Sequence, residues 1–280
     1  MKATHSTLVL YKCCAWTPSI FARFRKLWHE LSPDYQCQIV LDATDQRSAT
    51  QWLDSLVGLA PHPPVFTFSR NTLQGLLNLP YFTGGFVPGS AHYPLLLLSR
   101  SILADHYWHI ESDVEYRGCW RELISRYDQV NSDLICSHLH HYWQRPKWRW
   151  WNDFTVPNGQ RVPLEKMLKG FFPIARISLR ALRLTEATHR AGWRGHFEAL
   201  IPTVVHQAGY LISDLTALHP CYFGDDQNPN RTASRQSTLR WRPEVSREEF
   251  LNRAPSWPTI FHPVKDSWYF DGISLIDQGE

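Results

Sequence analysis

The residues most able to do chemistry stand near the middle of the chain, where His106-Tyr107-Trp108-His109-Ile110 runs into Glu111-Ser112-Asp113. The aromatic and β-branched run reads as a short β-strand that ends in acids. Successive strand side chains point to opposite faces, so Glu111 and Asp113 are expected on one face at the strand's carboxyl end, with Ser112 turned away. Two carboxylates held together repel unless a proton or a cation compensates. A hard divalent ion such as Mn²⁺ or Mg²⁺ takes oxygen ligands and binds substrate phosphates as well. An acid-x-acid triplet alone also occurs as a solvated turn, and it is the apolar strand before it that points to a metal.

The elements that would position this pair open with a β-α-β unit. Ser6 to Tyr11 reads as a buried strand, Ile20, Phe24, Leu27 and Leu31 mark one apolar face of a helix, and Gln38 to Leu41 forms a second strand that runs into Asp42. Such an opening belongs to a parallel sheet covered by helices, whose ligands bind beyond the carboxyl ends of the strands. Asp42 therefore falls near where a nucleotide could sit, although a turn acid is the plainer reading. A helix is expected over Trp52 to Val57, a strand over Val65 to Phe68, and a short helix over Tyr93 to Arg100. Beyond the acids, Cys119 to Tyr127 reads as a helix, Asp133 to His138 and Phe171 to Ile177 as strands, and Tyr210 to Asp214 as the last clear strand. Gly195-His196-Phe197-Glu198 opens a helix in which Pro202 is out of place, since proline is at home only in a helix's first turn or at a kink. The segment from Gly224 to Pro243 lacks an apolar period and is expected to be a long loop, either a lid able to close over bound donor or plain disorder. The chain continues to His262-Pro263-Val264-Lys265, which carries one imidazole and one ammonium.

A length of 280 residues allows one large α/β domain or two intimately joined halves. A formal charge of +3 with mixed signs does not mark a nucleic-acid partner, though a local basic patch could face phosphates or an anionic membrane surface. Six cysteines without CxxC pairing or zinc-ligand spacing read as small apolar residues of a reducing compartment. Leu8-Val9-Leu10 is too short for a signal-peptide core and no segment is long enough to span a bilayer, so the expected location is the cytoplasm. The cluster Trp143, Trp148, Trp150 and Trp151 supplies rings that could pack beside the site or stack on sugars.

In order along the chain, the β-α-β start, the strand ending Glu111-Ser112-Asp113, the Gly195-His196-Phe197-Glu198 helix start and the late His262-Pro263-Val264-Lys265 resemble a GT-A-type glycosyltransferase over roughly residues 6 to 270. The resemblance implies a three-layer α/β sandwich around a mostly parallel central sheet, a single catalytic domain over 1–280 with a nucleotide-binding half to about 118 and an acceptor-binding half after it. It implies that Glu111 and Asp113 hold a divalent metal and, through it, the diphosphate of a nucleotide-sugar. Glu111 stands where the family motif more often has Asp. His262 matches the late histidine that the family uses as a further ligand, and imidazole favours Mn²⁺ over Mg²⁺. Lys265 and His196 could meet phosphate. Glu198 resembles the acid that many inverting members use as general base, with Asp214, at a strand end, the second choice. A helix-capping acid is the ordinary alternative for Glu198. The acceptor implied is a glycan or another cell-envelope or lipid-linked acceptor.

Other readings use the same residues differently. A metal-dependent nucleotidyltransferase or phosphohydrolase would hold phosphates with the same acids but usually needs more carboxylates close in sequence. A carbohydrate-binding protein would use the Trp143 to Trp151 block and would not need Glu111, Asp113 and His262 to converge. A dinucleotide-binding oxidoreductase is disfavoured, because no GxGxxG follows the first strand.

Overall fold

A computed structural model describes residues 6–79, 91–157, 161–215, 237–252 and 258–265. Its spine is the pair of central strands β1 (Thr7–Cys13) and β4 (His106–Glu111), both apolar on alternate and intervening positions and so buried on both faces. The remaining long-sheet strands are β2 (Gln36–Asp42), β3 (Val65–Phe68), β6 (Leu134–His141), β7 (Leu168–Ser178) and β8 (Ile212–Asp214). Together they form one seven-stranded sheet in the order β3-β2-β1-β4-β7-β6-β8. Every neighbouring pair is parallel except those of β7, which runs antiparallel to both β4 and β6. The mostly parallel sheet expected from the sequence is present, with one reversed strand. A two-stranded antiparallel sheet, β5 (Glu115–Arg117) with β9 (Thr259–Phe261), stands beside its carboxyl edge.

Helices cover both faces, giving three layers. On one side α1 (Pro18–Leu31), α2 (Gln46–Leu56) and α5 (Trp120–Ser125) pack on Val9, Tyr11, Trp108 and Ile110. On the other, α3 (Arg70–Leu77), α4 (Tyr93–Ser101), α6 (Leu179–Arg190) and α7 (Phe197–Gln207) pack on Leu8, Leu10 and Tyr107. Caps set the helix starts. Thr17 accepts from the Ile20 amide with Pro18 in the first turn, Asp45 accepts from the Arg47 and Ser48 amides, and Ser178 accepts from the Ala181 amide. The Asp45 cap explains why α2 begins six residues before Trp52, where the sequence pattern had placed its start. Two short helices escaped that pattern: α3, capped by Ser69 and buried through Leu73 and Leu77, and α8 (Arg247–Asn252).

Pro202 does lie inside α7, among fully buried neighbours whose packing outweighs the missing backbone donor. The aromatic block folds over the start of this helix as a separate small core, in which Trp151, Val156, Val162 and Met167 surround Ala199. It is pinned there by a reciprocal pair of 2.9 Å backbone bonds between Thr155 and Arg194. Of the expected loop from Gly224 to Pro243, positions 224–236 lie outside the described residues, as does the Gly84-Gly85 to Gly89 segment, and 237–243 pack against the rest of the protein. No helix among the described residues is long and apolar enough to cross a membrane.

Candidate metal centre

β4 ends at Glu111, and the chain then turns, with the Val114 amide donating to the Glu111 carbonyl at 3.0 Å. Asp113 thus lies in the turn rather than two places along the strand face, and the turn, not strand alternation, brings it round to Glu111. The turn is fixed from beneath. The Ser112 carbonyl accepts from the buried Arg23 side chain of α1 at 2.8 Å and from the Tyr11 hydroxyl of β1 at 3.2 Å. Glu111 itself is steadied by Lys12, opposite it in register on β1, at 3.7 Å.

The third member arrives from far along the chain. β9 pairs with β5, and the Val264 amide donates to the Asp113 carbonyl at 2.9 Å, so the segment after β9 docks directly on the acidic turn. His262 Nε2 lies 3.3 Å from Asp113 Oδ1 and 3.8 Å from Glu111 Oε2. Its Nδ1 lies 2.7 Å from the Arg240 carbonyl, which can only accept, so Nδ1 carries a proton and Nε2 is the nitrogen turned to the acids. Ligand atoms around one ion at about 2.1 Å are at most about 4.2 Å apart. Both histidine distances meet this limit, all three ligand atoms lie within 4.8 Å of one another, and the partly exposed Glu111 side chain closes the remainder by rotating. Two carboxylates and one imidazole are a donor set that suits Mn²⁺. The residues fit a divalent cation.

Electrostatics within the group are strong. Burial alone would push the Asp113 carboxyl up, but the His262 ring and the Lys265 ammonium, whose Nζ is 2.5 Å from Asp113 Oδ2, hold it below the ordinary carboxylate range. Burial would likewise lower His262, and Asp113 and Glu111 overcome it and raise the imidazole.

Arg240 explains how His262 is aimed. Its guanidinium is buried, forks onto both oxygens of Glu249 at 2.6 and 2.7 Å, and donates to the carbonyls of Ser237, Pro243 and Glu244. This clamp ties 237–244 to Glu249 of α8, and a parallel bridge joins Leu239 to His262.

Glu198 sits in the first turn of α7 with its carboxyl buried, its Oε1 accepting from the Phe172 amide of β7 at 3.4 Å. Burial raises it to about 7, opposed by Lys169, and both Glu111 and His262 bear on it electrostatically. It therefore lies within electrostatic reach of the triad. His196 caps α7, accepting at Nδ1 from the Glu198 amide at 3.3 Å, and burial lowers its imidazole to about 4, with Arg149 and Lys169 adding to the effect. Its ring is enclosed by Trp148 and Trp150. The other expected residues stand apart from this cluster in role. Asp42 closes a local turn by accepting from the Thr44 amide at 2.9 Å, and Asp214 accepts from the Leu139 amide at 3.1 Å at the irregular end of β6.

Lys169, buried on β7 with its ammonium 5.3 Å over the Trp148 ring, is the charged neighbour of Glu198 that sequence reasoning overlooked. β7 begins three residues before the apolar run that marked it, and only alternation read backward from Phe171 would have enclosed Lys169 in the strand.

No protein-family model matches the chain, and no curated protein matches it in sequence. Solved structures with a similar arrangement include the galactosyltransferase LgtC in complex with donor and acceptor sugar analogs, 9% identical over 74% of this chain and 72% of that one, with a TM-score of 0.44. Glucosyl-3-phosphoglycerate synthase from Mycobacterium tuberculosis is 12% identical over 76% of this chain and 70% of that one, with a TM-score of 0.42. A proposed glucose-1-phosphate thymidylyltransferase from Bacillus anthracis is 10% identical over 90% of this chain and 96% of that one, with a TM-score of 0.43. These neighbours are glycosyltransferases and a nucleotidyltransferase, all distant.

Proposed function

We propose that the protein is a metal-dependent glycosyltransferase of the GT-A type, moving a sugar from a nucleotide-sugar to a glycan or lipid-linked acceptor. The observation that carries this reading is the meeting of Glu111, Asp113 and His262, which come from a strand end, a turn and a distant segment to within 4.8 Å of one another. A binding module that merely stacks sugars on tryptophan has no use for that convergence.

When bound, the divalent ion supplies positive charge to the diphosphate of the donor. Glu111, Asp113 and the Nε2 of His262 would hold it, and Arg240 keeps the His262 ring oriented. Lys265 is placed beside Asp113, where its ammonium can turn to a donor phosphate. Glu198 accepts the proton of the acceptor hydroxyl as that oxygen attacks the anomeric carbon and the bond to the diphosphate breaks. A carboxyl raised to about 7 suits this task, because a base whose pKa lies near the working pH is both available and strong enough to take the proton. Asp214 is the second carboxylate for that role, but its oxygen is engaged by a backbone amide. Asp42, at the end of β2, lies on the sheet's carboxyl edge, where the nucleotide is expected.

The testing experiment is a screen of UDP- and GDP-sugars with purified protein, with and without Mn²⁺, followed by binding and by release of free nucleotide. Metal-dependent binding of one donor supports the reading. Metal-independent binding, or hydrolysis of simple phosphate esters in place of donors, contradicts it and favours the phosphohydrolase alternative.

A further inference from the structure

A column of alternating rings and cations leads outward from Glu198. The His196 ring stacks on Trp150 with centroids 4.5 Å apart and planes 20° from parallel. The Arg149 guanidinium lies 3.9 Å over the Trp150 ring and 5.6 Å from the Trp241 ring, and Arg242 lies 4.9 Å over Trp241 from its own side of the chain. Arg149 is exposed, and Trp241 is 63% exposed. Two segments distant in sequence, the Arg149–Asp153 turn and the stretch after Leu239, thus bring two guanidinium groups and a largely exposed indole to one place.

Among the described residues neither Arg149 nor Arg242 is paired with a carboxylate, and both meet the flat faces of indoles instead. Arginine over tryptophan is a favourable contact in itself, and it holds each guanidinium flat while its edge N–H groups stay available. Those edges match the oxygens of a phosphate two at a time. An exposed indole, for its part, offers an apolar face to the C–H side of a sugar ring. The column is also continuous, through His196, with the helix turn that carries Glu198. The column therefore joins the exposed Trp241 to the helix start that carries the proposed base.

We propose that the Trp150–Arg149–Trp241 column with Arg242 is an acceptor subsite that takes a phosphorylated saccharide, its ring on the Trp241 indole and its phosphate on the two guanidinium groups. The phosphate can belong to a free sugar phosphate or to the head of a lipid-linked saccharide. The proposal builds on the transferase reading, but its test needs neither donor nor metal, so the two fail separately.

The test is isothermal titration of the full chain with the phosphates of glucose, galactose, mannose and N-acetylglucosamine, each set against its unphosphorylated parent and against inorganic phosphate. Sedimentation with phosphatidylglycerol vesicles runs alongside. One or more sugar phosphates should saturate a single site, with the parent sugar and inorganic phosphate each bound about tenfold more weakly, because each lacks one of the two contacts. Arg149→Gln and Trp241→Ala should each weaken the sugar phosphate about tenfold, and both are exposed positions whose unchanged thermal unfolding confirms an intact fold. Failure of every sugar phosphate to bind overturns the proposal, as does inorganic phosphate binding equally well, or variants that bind like the wild type. Vesicle binding abolished by Arg149→Gln, with no binding of soluble sugar phosphates, assigns the face to a membrane surface instead and also overturns it. A sugar phosphate that binds as expected while no nucleotide-sugar binds with Mn²⁺ leaves the subsite standing and removes the transferase reading.

Discussion

Replacing Glu198 by Gln should make the protein more stable at alkaline pH while nearly abolishing its activity. The Glu198 carboxyl is buried beneath the Phe172 amide and raised from an ordinary value of 4.5 to about 7, with burial the largest cause. The gap between those values disfavours the charged form in the folded protein by on the order of 3 kcal/mol. Because the folded-state value is raised, the stability tied to the neutral acid is fully present below pH 4.5 and is lost as pH rises through about 7. Above that point the folded wild type carries the whole penalty. Glutamine mimics the neutral acid, keeps an oxygen for the Phe172 amide, and does not ionise. Urea unfolding at pH 4.5 and pH 8 should therefore show the variant close to wild type at the lower pH and more stable at the higher one, by up to about 3 kcal/mol. Loss of a general base lowers turnover by about 10² to 10⁴-fold, and donor affinity should be nearly unchanged, since Glu198 does not touch the metal cluster. A variant less stable than wild type at pH 8 refutes the argument from burial. Near-full transfer by Glu198→Gln together with loss in Asp214→Asn refutes the choice of base.

Three further outcomes follow from the same contacts. Arg240→Met breaks a buried fork on Glu249 and should cost about 3–5 kcal/mol in denaturant unfolding; because Arg240 aims His262, Mn²⁺ affinity should fall about 10–100-fold at temperatures where the variant is folded. Gly195 has φ of +154° and an added Cβ would come within 3.3 Å of the Phe154 backbone, so Gly195→Ala should displace the helix start that carries Glu198 and lower turnover more than donor affinity, read from kcat against KM. Asp42→Asn, which keeps the turn to Thr44, should leave thermal unfolding unchanged and, if the nucleotide lies at the end of β2, weaken nucleotide-sugar binding measured by titration.

Much of this architecture is written in apolar spacing. Ile20, Phe24, Leu27 and Leu31 do form the buried face of α1, and Val65 to Phe68 is β3 to the residue. The direction of β7 was beyond reach, because a strand buried on both faces looks alike whether it runs parallel or antiparallel. The acids were legible as a pair but not in their geometry: strand alternation put both on one face, whereas the strand stops at Glu111 and a turn held by Arg23 and Tyr11 supplies Asp113. His262 could be singled out only through the order of pieces along the chain, since no periodicity links it to residues so far away. The Arg240–Glu249 clamp left no trace in the pattern at all. Its segment has no apolar period, and its order comes from one guanidinium that gathers three carbonyls and a carboxylate.

The central claim is that Glu111, Asp113 and His262 hold one divalent cation through which the donor binds. Electron paramagnetic resonance of added Mn²⁺, counted per chain with and without the nucleotide-sugar found by screening, tests it most directly. One ion should bind per chain, more tightly with the donor present, and be lost in Asp113→Ala and in His262→Ala while the fold, followed by circular dichroism, persists. One ion per chain bound with unchanged affinity after Glu111, Asp113 and His262 have all been replaced by alanine would contradict it.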